Sequence, residues 1–205
     1  MSNFSDFIGG SGGGGTLFTI PITKSTTWTP PFDGTAVIHC IGAGGSGASN
    51  KDDQKCTAGG GGGYSKKTVT LATGTNWTMV VGAGGNSVIE STNGTAGGNT
   101  TATDGSSSLA ANGGGAGITN NAATVLGGTA SGGDVNNSGG RGAGTTGNSY
   151  NTYGGGAVGV LGTGQDGSET SNAMQGNGGH SDVQSPQFEN TNGELRGGGR
   201  GGQSM

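Results

Sequence analysis

Glycine fills 53 of the 205 positions and comes in runs, the longest of them at residues 12–15 and 59–63. A chain so short of side chains has little from which to build a conventional core. Leu, Ile, Val and Phe together supply 28 residues, below the roughly one-fifth share at which a chain stops packing as an ordinary globule. Disorder of the usual kind also needs a high net charge, and eight basic against twelve acidic residues leave only −4. Two solutions remain: an uncharged flexible polymer, or a fold held together by its backbone. Glycine opens the second route, because extended threefold helices without side chains can approach closely enough to hydrogen-bond through their main chains. Collagen is excluded, since it needs glycine at every third position and abundant proline, and this chain has four prolines.

Charge narrows the choice of partners. Phosphate binding needs clustered Lys and Arg, yet Lys66 and Lys67 are the only adjacent basic residues, and Arg141, Arg196 and Arg200 are scattered. No nucleic-acid partner is expected. The first six residues carry no basic region leading into an apolar run, and no apolar segment approaches membrane-spanning length. The expectation is synthesis as a soluble cytoplasmic product without membrane insertion. Cys40 and Cys56 lack metal-ligand or redox spacing and are expected to be free thiols.

Along the chain, Phe4, Phe7 and Ile8 fall at the spacing of one helical turn before a Gly/Ser tether, and residues 1–15 read either as a docking peptide on a flexible leash or as a disordered terminus. Residues 16–85 carry both tryptophans, Trp28 and Trp77, and four strand-like segments at 17–22, 35–41, 64–71 and 77–81, with turns at Pro30-Pro31 and Gly74. Residues 86–205 alternate short glycine clusters with polar stretches of loop length. The expected fold class is all-β with essentially no α-helix. A small N-terminal β-sandwich is followed by a polyproline-II-like (polyglycine-II) helix sandwich whose rods stack side by side, with loops at their ends.

The catalytic motifs fail on context. Residues 42–47 satisfy GxGxxG after a strand, but no apolar-periodic helix follows, and residue 62, near where a ribose-binding acid would fall, is glycine. A GxSxG match at 9–13 lies in the tether, not on a strained strand-to-helix turn. His39 and His180 are the only histidines, and neither stands in an arrangement that would activate a nucleophile or hold zinc. Asp52-Asp53 is the only adjacent acidic pair and lies in a loop. No cofactor, metal or enzymatic activity is expected. Outside the sandwich the aromatic residues are few. Tyr150, Tyr153 and Phe188, with His180, stand among Asn, Gln and Glu in the segments 145–153 and 180–196, the mixture that binds a sugar ring or a protein surface. The alternative is local packing against the ends of the rods.

One ordered set of motifs is specific. Trp28 and Pro30-Pro31 precede a strand ending in Gly42-Ala43-Gly44-Gly45; residues 59–63 and Tyr64 open a second strand; a third, from Trp77, ends in Gly82-Ala83-Gly84-Gly85. This order resembles the glycine-rich domain of many bacteriophage tail-fibre and tail proteins over residues 16–85. Residues 86–205 are similar in texture to the polyglycine-II sandwich of T-even-type adhesins, with shorter glycine clusters and longer Asn/Thr/Ser segments. The resemblance implies a virion protein of the tail or fibre surface, joined to other tail parts through its N-terminus. Its distal loops would contact a host surface glycan or outer-membrane protein. Both a homotrimer and a single copy on a trimeric shaft are compatible with it. Phe4, Phe7 and Ile8 become the candidate docking residues, and Tyr150, Tyr153, His180 and Phe188 the candidate receptor-binding residues. The rival readings are a purely structural virion protein, such as a fibre joint or a capsid or tail decoration, an ice-binding polyglycine-II protein, and a polysaccharide-degrading enzyme.

Overall fold

A computed structural model describes residues 19–50, 55–145, 151–170 and 203–204. These residues are all-β, without helix, as the composition requires. The strands run β1 (Thr26–Trp28), β2 (Gly34–Ile41), β3 (Ser49–Asn50), β4 (Tyr64–Leu71), β5 (Trp77–Val80), β6 (Thr100–Thr103), β7 (Ser108–Ala111), β8 (Ala130–Ser131), β9 (Val135–Asn137), β10 (Asn151–Thr152), β11 (Glu169–Thr170) and β12 (Gln203–Ser204). One antiparallel sheet has the order β1-β5-β6-β7-β8 and faces a second of order β2-β4-β9. Hydrogen bonding in the first sheet crosses residue 85 without a break, since β5 pairs with β6.

Alternation along the strands builds the core. In β2, Cys40 is buried with Ala36 and Ile38 packed beside it, while Val37, His39 and Ile41 face outward. From β4 come Val69 and Leu71, and from the facing sheet Trp77, Ala102, Leu109 and Ala111, with Trp28 and Met79 against them. The expected strand at 17–22 does not form over its described part. Residues 19–22 are irregular, because Pro21 has no N–H for a ladder. Trp28 instead lies in β1, directly opposite Trp77. Strands β6 and β7 fall where the sequence offers only Thr, Ser, Ala and one Leu, a composition that reads as loop. Tight turns close the end of the sandwich. Gly74, Gly105 and Gly132 take φ of 81°, 89° and 81°, and the Asp33 carboxylate, accepting from the amide and then the hydroxyl of Thr73, is held below its ordinary pKa.

Beyond the opposite ends of the strands the glycine segments begin, and the pairing continues into them. Ile41 pairs with Tyr64, and the next bonds are from Gly42 N–H to Gly63 (2.8 Å), Gly45 N–H to Gly60 (3.0 Å) and Ala48 N–H to Thr57 (3.1 Å). A partner at every third residue is the repeat of a polyproline-II-type helix. Residues 42–48 form rod A and 57–63 rod B. The register of β6 with β7 likewise continues as Gly97 to Gly114 and Gly94 to Gly117, joining rod D (92–98) to rod E (112–118). That of β7 with β8 continues as Asn112 to Thr129 and Gly115 to Leu126, joining rod E to rod F (125–129). Rod C (82–86) follows β5, and rods G (139–145), H (153–156) and I (164–168) complete the bundle among the described residues.

Where side chains vanish, the layers close up. Facing sheets normally stand about 10 Å apart with a side-chain core between them. Here the rods that follow the two sheets bond directly across the gap: Ala43 N–H to Gly98, Ser46 N–H to Thr95, Thr57 N–H to Ile118 and Gly60 N–H to Gly115. Rod B is buried along its whole length. The glycines of this region are required by proximity, since a Cβ at Gly114 would overlap the Gly60 carbonyl and one at Gly62 the Gly42 carbonyl.

Both cysteines are buried free thiols. Burial raises the Cys56 pKa and pushes that of Cys40 up to about 11 from its ordinary 9.0. The folded state therefore keeps a proton that the unfolded chain releases first. Stability attributable to Cys40 is complete below pH 9 and is lost between about 9 and 11, with a slope of at most about 1.4 kcal/mol per pH unit. Urea unfolding midpoints are expected to fall across that window, and Cys40→Ala to flatten the fall. A fall of the same slope in Cys40→Ala would assign it to other groups.

Candidate functional site at the rod tip

Each long hairpin of the sandwich extends past its strands as a pair of rods, so the outer ends of rods A and B, C and D, E and F, and G and H all lie at the far end of the bundle. Bridges fix them at one level: Ser49 with Thr92, and Cys56 with Thr119. Strand β10 pairs with β11, and β12 runs parallel to β3 at the same end. The Thr152 hydroxyl donates to the Cys56 carbonyl (3.2 Å).

Asn50 ties three of these loops together. Its side chain is 2 % exposed. The Nδ2 group donates to Asn120 Oδ1 (3.2 Å), and Oδ1 accepts from Ser91 Oγ (3.1 Å). Around it, Asn120 N–H donates to the Lys55 carbonyl (2.7 Å), and Asn93 Oδ1 accepts from the amide and hydroxyl of Thr119 (2.8 and 3.0 Å). The described non-glycine residues with positive φ, Glu90, Ser91 and Asn120 at 55° each, all lie here. Left-handed backbone at such residues costs about 1–2 kcal/mol apiece and persists only where surroundings hold it. The tip is thus a prefolded platform of Asn, Ser and Thr, with Ile89, Glu90 and Asn120 on its surface.

Of the residues singled out from sequence, Tyr153 is half-buried at the start of rod H. Its N–H donates to Ser168 and its carbonyl accepts from Ala143, so its backbone belongs to the bundle. Tyr150, His180 and Phe188 lie outside the described residues, as do Phe4, Phe7 and Ile8. The flanks of three of them are informative. Residues 146–150 are bounded by Thr145 and β10, and residues 171–202 by β11 and β12, all at the tip. His39 is exposed on the outer face of β2 with Nδ1 2.7 Å from the Tyr64 hydroxyl. The GxGxxG stretch is rod A. Its Gly42, Ala43, Gly45 and Ser46 amides already donate to neighbouring rods, whereas a phosphate site needs them pointing at the ligand. The Asn50, Ser91 and Asn120 cluster escaped the sequence reading because its members come from three separate loops, and no spacing along the chain announces their meeting.

Among the described residues, no three His, Cys, Asp or Glu side chains gather as metal ligands. At the tip, the Asn50, Ser91 and Asn120 side chains are bonded to one another beside the exposed side chain of Ile89. In comparison with known proteins, no curated protein matches the sequence. The model of one family, described as a glycine-rich domain, matches residues 20–205, and the chain belongs to that glycine-rich domain family.

Proposed function

We propose that the chain is a non-enzymatic receptor-binding module, an adhesin displayed on a bacteriophage tail or fibre, which recognises a host surface glycan or outer-membrane protein through the loops at its rod tip. Phe4, Phe7 and Ile8 would join it to other tail parts. The observation that carries the reading is convergence: the loops between successive rods, and the flanks of both segments holding Tyr150, His180 and Phe188, meet at one end of a bundle braced by interlayer hydrogen bonds. A scaffold of this kind spends its ordering entropy in folding, so binding pays little of it later. The opposite end closes in turns at Gly74 and Gly105.

The test is adsorption of the fluorescently labelled full-length protein to a panel of bacterial strains, beside a variant in which residues 146–150 and 180–196 are replaced by short Gly/Ser connectors. Saturable binding to a few strains, abolished in the variant with its thermal unfolding unchanged, is expected. A folded protein that binds no strain selectively would overturn the reading in favour of a structural virion role.

A further inference from the structure

The corner of the loop between rods C and D uses residues that its backbone does not favour. Glu90 and Ser91 are consecutive and both left-handed, a conformation glycine adopts without strain. Glycine takes the wider angles of 81°, 89° and 81° at 74, 105 and 132, whereas Glu90 and Ser91 sit with Asn120 at 55°. A side chain at 90 or 91 carries a backbone cost that glycine would not. Ser91 is accounted for by its bond to Asn50. Glu90 is not: it is exposed, and its carboxylate has no partner among the described residues. Beside it, Ile89 is 73 % exposed, more than any other large apolar side chain described. The corner is nevertheless held firmly, since the Thr92 hydroxyl donates to the carbonyls of Ile89 (2.7 Å) and Glu90 (3.2 Å).

We infer that Ile89 and Glu90 form a specificity-determining contact for a protein receptor, taking a lysine or arginine side chain whose aliphatic stem lies along Ile89 and whose cationic head meets the Glu90 carboxylate. The inference rests on the adhesin reading. An apolar side chain next to an unpaired carboxylate on a rigid corner matches the two halves of such a residue. A glycan would make poor use of the exposed isoleucine.

The experiment uses the full chain and a bacterial strain that binds it, with Glu90→Gln, Glu90→Gly and Ile89→Ser. Glu90→Gly releases the left-handed strain and is expected to raise the melting temperature by about 2–4 °C, given the usual conversion for a chain of this size, while weakening adsorption about tenfold or more. Glu90→Gln and Ile89→Ser are expected to weaken it to a similar degree with melting unchanged. Acetylating the cells' surface amines or shaving them with protease should also reduce wild-type binding. Wild-type adsorption with all three variants binding equally well overturns this inference and leaves the adhesin reading standing. A lower melting temperature in Glu90→Gly makes Glu90 structural and overturns it too. Adsorption lost on periodate treatment but not on proteolysis assigns a glycan receptor and does the same. Failure of the wild type to bind any strain overturns both.

Discussion

Replacing Gly114 by alanine is expected to destabilise the protein by at least about 3 kcal/mol, the upper range for overpacking a tight interior, whereas Gly84→Ala is expected to be neutral or to stabilise by about 0.5 kcal/mol. The two differ in what the new methyl group meets. At Gly114 it would overlap the Gly60 carbonyl, with the Gly61 carbonyl oxygen also inside contact distance. Both belong to buried rod B, so no flexible side chain can move aside. Rods E and B must separate, which loosens the bonds from Thr57, Gly60 and Gly63 to rod E and from Gly114 itself to Ala43. At Gly84 no atom of the described residues lies within 4 Å of the new methyl group and φ is not left-handed, so alanine only narrows the unfolded ensemble. Denaturant unfolding of both variants measures the contrast. Similar, small changes in both would mean that the rods are not held at hydrogen-bonding distance.

Trp77→Ala is expected to cost about 3–5 kcal/mol, in the range for removing a buried aromatic ring, which is a large part of the 5–15 kcal/mol that holds a typical domain. Trp77 is fully buried, between β1 and β6, and is the largest side chain in a core otherwise made mostly of Ala, Val, Leu and Cys. Few other groups can fill the space it would leave. Its indole Nε1 has no hydrogen-bond partner among the described residues, a defect worth about 1–3 kcal/mol. Trp77→Phe removes that defect together with part of the ring, so the two effects oppose each other. Phenylalanine is therefore expected to cost less than about 2 kcal/mol. A phenylalanine variant as unstable as the alanine one would show that the indole N–H is satisfied in solution.

The three strands at 34–41, 64–71 and 77–80 were legible because β-branched and aromatic residues are concentrated there, as in Ala36-Val37-Ile38 and Trp77 to Val80. Strands β6 and β7 were not, since Thr, Ser and Ala suit a loop as well as a strand, and only contact with Trp77 and the facing sheet decides between them. The same limit applies to the site. That loops should lie at the ends of rods follows from alternating glycine clusters and polar stretches, but the juxtaposition of Asn50, Ser91 and Asn120 depends on how the hairpins stack.

What the sequence determined alone was the kind of fold: too few apolar residues for a globule, too little charge for a disordered tail, and enough clustered glycine for backbone-bonded rods. Which rod lies beside which, and in what register, belonged to the tertiary structure. A glycine segment has no side chains with which to distinguish one alignment from a neighbouring one, so it cannot specify its own register. The strands do it instead. Side chains such as Ile38, Cys40, Val69 and Leu71 fix the pairing of β2 with β4, and Gly42 and Gly63 continue that pairing because the chain emerges from the sheet already aligned.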